Sequence, residues 1–242
     1  MTNHTRRTQA FIGAVAIAGL GSAIFAGSLD HTMHLSYAVA LLVVAVLTSR
    51  LKVKLPGIDG NMSMNLPFLL MAVVNLSAVE AVAIAAMSTI VQTWPKRSAR
   101  FKPEQMLFNV SMLALATSIA SLVWHSGAFT KTSALSDPVM LAAATVMFFF
   151  GQTAPVAAVI SISEGANLAR TWSSIAHLSF PYFVLSAGVA AITDLIGHFT
   201  AWPVALALVP VMYATYRSYR TYFGMVPVIG ATPLTRAAAI GR

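Results

Sequence analysis

Four polar side chains near or within the apolar stretches of this chain could bind a small molecule. They are Asn65, Glu80, Asn109 and Gln152. A polar group buried in an apolar medium costs free energy unless it finds a partner, so such residues often mark functional sites in membrane proteins. We predict that these four residues form a ligand-binding site. Convergence of their side chains on one cavity would support this prediction.

Each of these residues also has a plain structural explanation. Ser77 precedes Glu80 by three positions, which is the S-x-x-E pattern of a capping box at a helix start. Asn109 and Gln152 could hydrogen-bond to neighbouring helices, an interaction typically worth about 0.6 kcal/mol. Gln152 also lies three positions before Pro155, and a broken helix beside an amide is a common substrate site in transporters. The sequence leaves both explanations open.

A second group of residues has the chemistry of a metal or proton site. His31 and His34 are three positions apart, and Asp194 and His198 are four apart, so each pair would share a helix face. Imidazole and carboxylate groups together suit zinc or related metals, and imidazole titrates near neutral pH. We predict that these four residues sense a metal ion or protons. The alternative is that the histidines are merely tolerated at the depth of the lipid headgroups.

Enzymatic signatures are missing from the sequence. It contains no cysteine, and its seven acidic residues are widely dispersed, so neither thiolate chemistry nor a pair of carboxylates for acid–base work is indicated. No G-x-S-x-G elbow, Walker A loop or G-x-G-x-x-G motif occurs. We therefore predict a non-enzymatic protein with no catalytic residue and no cofactor.

The composition indicates which elements hold these residues. Hydrophobic residues make up 57% of the 242 and charged residues only 9%, whereas soluble domains carry about a quarter charged residues. We predict an all-α fold, a polytopic transmembrane helix bundle of about eight hydrophobic elements over residues 1–224, with a flexible cytoplasmic tail over 225–242. The third and fourth elements, within 66–93, are either two short spans or a re-entrant hairpin, and a hairpin would leave six full spans. Turn dipeptides predict a loop over 55–65.

Basic residues cluster between the apolar runs and predict the orientation of the bundle. The two clusters are Arg50, Lys52 and Lys54, then Lys96, Arg97, Arg100 and Lys102. With eight spans both clusters fall on the same side as the two termini, which the positive-inside rule assigns to the cytoplasm. We expect these residues to contact anionic lipid headgroups. They do not form the stripe on a soluble face that would indicate nucleic acid as a partner.

Several short segments resemble a known family. They are Leu55-Pro56-Gly57, residues 60–65, Leu76-Ser77 with Glu80, residues 105–110, and the exit segment 216–224. Together they resemble the uncharacterised multi-span amino-terminal membrane module found ahead of HD-type phosphohydrolase or GGDEF domains in bacterial cyclic-di-GMP signalling proteins. Only eighteen residues follow Gly224, without an HD pair or a GGDEF sequence. The resemblance implies a signal-input module that lacks the output domain, in the bacterial inner membrane.

Two functional hypotheses follow from the sequence. The first is a membrane-embedded sensory or signal-input module, which implies a cytoplasmic signalling partner or a homo-oligomer, and a small-molecule ligand. The second is a small-solute transporter or the substrate-binding subunit of one. Convergence of Asn65, Glu80, Asn109 and Gln152 on one cavity would favour binding or transport, and dispersal to helix ends would favour structural roles.

Overall fold

The computed structural model describes residues 3–28, 34–54, 61–95, 101–126, 136–196 and 201–225. These residues form eight helices and one short hairpin, which confirms the prediction of an all-α bundle. The elements are α1 (Asn3–Ser28), α2 (Leu35–Ser49), β1 (Lys52–Lys54), β2 (Asn61–Ser63), α3 (Leu66–Asn75), α4 (Ala78–Thr93), α5 (Pro103–His125), α6 (Ser136–Glu164), α7 (Leu168–Ile196) and α8 (Ala201–Met225). The predicted tail beyond Met225 lies outside the described residues.

Four helices within the described part of the chain are long and apolar enough to cross a membrane. The apolar segments are Thr5–Ser28, Pro103–His125, Asp137–Glu164 and Leu168–Leu195, in α1, α5, α6 and α7. Helices α2, α3 and α4 are apolar but shorter. A helix rises about 1.5 Å per residue and the hydrocarbon core is about 30 Å thick, so about 20 residues are needed for a full crossing. The eight elements are therefore of two kinds, four long and apolar, the others shorter or more polar.

Helix α3 is enclosed by the rest of the protein. It has 10 residues, and its first nine, Leu66–Val74, are all buried. A helix of this length is about 15 Å long, half of the hydrocarbon core, and an apolar surface on every side suits a helix packed within a protein. Helix α4 follows after two residues and packs against α2, α3 and α5. This geometry favours the re-entrant hairpin over two short spans.

Helix α5 lies at the centre of the bundle, between α1, α4 and α6. Small residues allow the close approach of its neighbours. A Cβ atom added to Gly19 of α1 would lie 2.7 Å from Cα of Ser111, and one added to Gly151 of α6 would lie 3.0 Å from Cβ of Ala116. The other side of α1 exposes large side chains, including Ile17 and Leu20, as expected for a lipid-facing surface.

The segment between α2 and α3 differs from its predicted structure. Asn61–Ser63 form β2, which pairs antiparallel with β1 in the register Lys52 to Ser63. The prediction of a loop through residue 65 was therefore wrong for these residues. The turn dipeptides at 56–57 and 59–60 lie outside the described residues. A stretch rich in turn dipeptides is also what a hairpin needs, and hydrogen bonding between the strands satisfies backbone groups that a loop would leave to solvent.

Contacts between helices gather the described lysines and arginines at one end of the bundle, which we call the basic end. Gln9 near the start of α1 donates to Glu104 at the start of α5 (3.4 Å), and Lys52 of β1 donates to the carbonyl of Gln92 near the end of α4. The end of α8 packs against β1. The residues at this end are Arg6, Arg7, Arg50, Lys52, the backbone of Lys54, Lys102, Arg170, Arg217 and Arg220. Within the described ranges no lysine or arginine lies at the opposite end, which carries Glu80, Asp137 and Asp194.

Trp124 joins the end of α5 to the end of α3. Its indole N–H donates to the carbonyl of Val74 at 3.0 Å, one of the last-turn carbonyls that a helix cannot satisfy itself. We expect Trp124→Phe to lower the free energy of unfolding by about 2 kcal/mol, from the lost hydrogen bond and the lost ring volume. The measurement is unfolding in mixed micelles of increasing sodium dodecyl sulfate content.

Trp94→Phe is the matched control for this substitution. Trp94 is 56% exposed, and phenylalanine would keep a ring beside Phe101, whose centroid is 6.0 Å from that of Trp94. The control should change the free energy of unfolding by less than about 0.5 kcal/mol. Equal losses for the two variants would show that the Trp124 hydrogen bond does not stabilise the end of α3.

Candidate functional site

Asn65 lies at the start of the buried helix α3. Its side chain is buried, and its amide nitrogen donates to the hydroxyl of Ser88 on α4 at 3.3 Å. Its backbone carbonyl accepts from the N–H groups of Phe68 and Leu69 (3.1 and 3.2 Å). Asn65 therefore links the two arms of the α3–α4 hairpin, and this is a polar point within an otherwise apolar core.

Glu80 occupies the other end of the hairpin, at the first turn of α4. The predicted capping box is present: the carboxylate accepts from the backbone N–H of Ser77 (3.1 Å) and from its hydroxyl (2.8 Å), and the Glu80 N–H donates to that hydroxyl. The second carboxylate oxygen accepts from the backbone N–H of His34 at 3.0 Å. Because both oxygens are occupied and the side chain is only 9% exposed, Glu80 ties the start of α2 to the start of α4.

The four polar residues predicted as a ligand site are distributed over the bundle. Ser88, the partner of Asn65, lies eight residues after Glu80 on α4, which corresponds to about 12 Å along the helix. Asn109 is half-buried on α5, and Gln152 is half-buried on α6 with its carbonyl oxygen buried and without a hydrogen-bond partner. None of the four hydrogen-bonds to another within the described part of the chain.

Two further intramembrane features have local explanations. Helix α6 continues unbroken through Pro155 from Ser136 to Glu164. The amide of Asn75 donates to the carbonyl of Met71 one turn earlier, at 3.0 Å. The amide of Asn75 is therefore partly satisfied within its own helix.

The predicted metal or proton site is only partly described. His34 precedes α2 and Asp194 lies near the end of α7, both at the end opposite the basic end, whereas His31 and His198 lie outside the described residues. Among the described residues no group of three histidine, cysteine, aspartate or glutamate side chains could hold a metal ion. His125, at the same end, bonds to the carbonyl of Ser121 through Nδ1 at 2.8 Å. Sensing of a metal or of protons stays a prediction.

The predicted headgroup-binding residues are at the basic end where they are described. Arg50 and Lys102 are exposed, and Lys52 is partly buried with its ammonium on the carbonyl of Gln92. A cation on the last carbonyls of a helix also complements the helix dipole. The backbone of Lys54 lies in β1, but the structure does not describe its side chain. Lys96, Arg97 and Arg100 lie outside the described residues. Lys52 therefore has a structural role beside any contact with lipid.

Tyr182 is a central residue that sequence reasoning did not find. It lies in the middle of α7, is 1% exposed, and its hydroxyl is buried. Its ring meets that of Tyr219 on α8 edge to face, with centroids 6.4 Å apart. No signal in the sequence marks Tyr182, because a tyrosine in an apolar run can face lipid, a headgroup or the protein core.

Tyr182 and Tyr219 form part of a continuous packed path. Helix α3 packs on α7, α7 carries Tyr182, and Tyr182 packs on Tyr219 of the last helix. Helix α8 packs in turn against α2 and β1. The enclosed hairpin is thereby in mechanical contact with the helix by which the chain leaves the basic end of the bundle.

Comparison with known proteins identifies one family. The sequence model of MASE9, a family of membrane-associated sensor domains, matches residues 25–223, which include α2 to α7 and most of α8. No curated protein and no solved structure matches the chain.

Proposed function

Since the chain belongs to the MASE9 family of membrane-associated sensor domains, we propose that it is a non-enzymatic signal-input module whose last helix, α8, carries the signal out of the membrane. The observation that carries this proposal is the contact between Tyr182 and Tyr219. It is one of the contacts between the core that encloses α3 and the exit helix, beside the packing of α8 on α2 and β1. A signal can act only through an element that takes two positions. A change in the position of the enclosed core can reach α8 only through side chains that are packed between them.

The charge distribution supports an orientation for the module. All described lysines and arginines lie at the basic end, and positively charged ends of membrane bundles face the cytoplasm. In our proposal the protein is a multi-pass protein of the bacterial inner membrane with both termini in the cytoplasm. Helix α8 would then meet a cytoplasmic signalling partner there, such as an enzyme that makes or hydrolyses cyclic di-GMP.

The start of α3 is the place where a ligand would have the largest effect. The amide of Asn65 reaches α4 there, and the packed path towards Tyr182 begins on the same helix. A ligand that competes for the amide of Asn65 would move α3 relative to α4. Asn109 and Gln152 on α5 and α6 are the second region to mutate in a search for the ligand. Within the described residues no specific observation favours solute transport, because the four polar residues are not joined and α6 is unbroken.

Substitution at Tyr219 tests the proposed signalling path. The full chain is joined through α8 to a domain that synthesises cyclic di-GMP, and the product is measured in cells. We expect Tyr219→Ala to change the basal output by about 2- to 30-fold, the range of coupling energies that single residues on such paths carry. Leu206→Ala is the control on the same helix, since Leu206 of α8 is 48% exposed. The control should leave the cyclic di-GMP output within twofold of that of the wild-type fusion.

A direct measurement of helix position accompanies this activity measurement. The chain has no cysteine, so cysteines placed at the exposed positions Ser173 on α7 and Ser218 on α8 can be spin-labelled without background. The distance distribution between the labels should broaden or shift in Tyr219→Ala and stay unchanged in Leu206→Ala. A shift in distance without any change in output would reject α8 as the signalling helix.

A further inference from the structure

The last turns of α8 form a groove on the surface of the bundle. Five residues line it, namely Tyr213, Tyr216, Arg217, Arg220 and Thr221, and the groove has a volume of about 380 Å³. These residues are spaced three and four apart, so they share one face of the helix. The groove lies at the basic end, where α8 leaves the bundle.

The two arginines of this groove are available to a ligand. Both side chains are exposed, and neither makes an ion pair with a carboxylate within the part of the chain that the structure describes. Nη1 of Arg220 donates to the hydroxyl of Tyr216 at 3.3 Å, which orients its guanidinium group. A guanidinium presents several N–H donors in a rigid fork that matches the oxygens of a phosphate group, and a pair of them exceeds the charge of a phosphodiester.

The aromatic wall of the groove points to the source of the phosphate. The rings of Tyr213 and Tyr216 lie 6.2 Å apart beside the arginines. Tyrosine is favoured at the membrane–water boundary because its ring is apolar and its hydroxyl is polar. Arginine there extends its charged end towards the headgroups while its stem stays in the apolar region. The groove therefore offers donors to a phosphate and an apolar surface to the glycerol and acyl groups below it.

We propose that Arg217 and Arg220 bind the phosphodiester headgroup of an anionic phospholipid against the tyrosines of α8. A free phosphate ion would meet the same guanidinium groups, but the apolar rings of Tyr213 and Tyr216 favour a lipid as the source of the phosphate. The site does not depend on the signalling role proposed above. It differs from a general attraction of basic residues to the membrane surface because the arginines, the hydroxyl of Tyr216 and the rings form one lined groove.

Native mass spectrometry of the full chain in detergent tests this proposal. The protein is titrated with phosphatidylglycerol and with phosphatidylcholine of the same acyl chains. We expect phosphatidylglycerol to bind at least tenfold more tightly. The double variant Arg217→Gln with Arg220→Gln should lose about 25-fold in affinity for phosphatidylglycerol, about fivefold for each arginine near the membrane surface.

Control variants separate a specific site from general charge. Arg170→Gln removes an exposed arginine from the start of α7 at the same end and should stay within twofold of the wild type. The double variant Arg217→Lys with Arg220→Lys keeps the charge but loses the fork, so it should bind with intermediate affinity. Equal losses in Arg170→Gln and in the double glutamine variant would overturn the proposal, as would equal binding of the two lipids. Displacement of the lipid by millimolar inorganic phosphate would assign the groove to free phosphate and overturn the lipid assignment.

Discussion

Gly19→Ala is expected to lower the free energy of unfolding by about 3 kcal/mol. The added Cβ would lie 2.7 Å from both Cα and Cβ of Ser111, and even closer to its carbonyl oxygen. Overpacking of this kind typically costs about 1–3 kcal/mol, and the upper end applies because the obstructing atoms belong to the backbone of α5 and cannot rotate away. Helix α1 would have to separate from the helix at the centre of the bundle. The measurement is unfolding in mixed micelles of increasing sodium dodecyl sulfate content.

Two other glycines of α1 provide matched controls for this substitution. A Cβ added to Gly13 or to Gly21 would meet no atom within 4 Å. Alanine is a better helix former than glycine by up to about 1 kcal/mol, so these variants should be as stable as the wild type or slightly more stable. If Gly19→Ala were as stable as Gly13→Ala, the close packing of α1 on α5 would be wrong. Labels on α1 and α5 in the cysteine-free chain would then report the true separation.

Removal of the carboxylate of Glu80 is the second large effect we expect. The carboxylate accepts from the backbone N–H groups of Ser77 and His34 and from the hydroxyl of Ser77. Glu80→Ala would leave these donors without a partner in a site of low exposure, and each unsatisfied buried donor costs about 1–3 kcal/mol. We expect a loss of about 3 kcal/mol in the free energy of unfolding. Glu80→Gln keeps the shape of the side chain, but its NH2 group would face one of the donors that the carboxylate now accepts from. The free energy of unfolding should therefore fall roughly half as much as in Glu80→Ala.

Glu104→Ala is the control for the Glu80 variants. Glu104 also lies in the first turn of a helix, but it is exposed, and its one hydrogen bond, from the amide of Gln9, is long at 3.4 Å. Its removal should cost less than about 1 kcal/mol. Hydrogen exchange distinguishes the two roles of Glu80, since loss of the capping box exposes the first turn of α4, whereas loss of the link to His34 exposes the start of α2. Unchanged exchange at both helix starts would contradict the assigned contacts.

These two variants also bear on the proposed function. Glu80 joins α2 to the hairpin, and Gly19 joins α1 to α5, so both act on the scaffold around α3. In a fusion with an output domain, loss of the scaffold should change the output together with the stability. Tyr219→Ala should change the output while the free energy of unfolding falls much less, because Tyr219 is only partly buried. This difference separates a signalling contact from a merely structural one.

Local pattern and composition were sufficient for the fold class and the capping box. The small fraction of charged residues requires a lipid environment, and the helices follow from that requirement because every backbone group in lipid must be satisfied internally. The capping box of Ser77 and Glu80 could be predicted because all of its atoms lie within four residues. Counting spans predicted that Arg50 and Lys102 lie at the same end of the bundle, although α3 is too short to cross.

The contacts between distant residues depended on the tertiary structure. In a soluble helix the buried face is more apolar than the exposed face, so its rotation can be inferred from the sequence. Here lipid and protein interior are equally apolar, and the lipid-facing Leu20 cannot be distinguished by residue type from the buried Leu69. For the same reason the sequence could not pair Glu80 with His34, Gly19 with Ser111, or Tyr182 with Tyr219. The rotation of each helix about its axis is set by steric fit and hydrogen bonding between helices, and neither leaves a periodic pattern in the sequence.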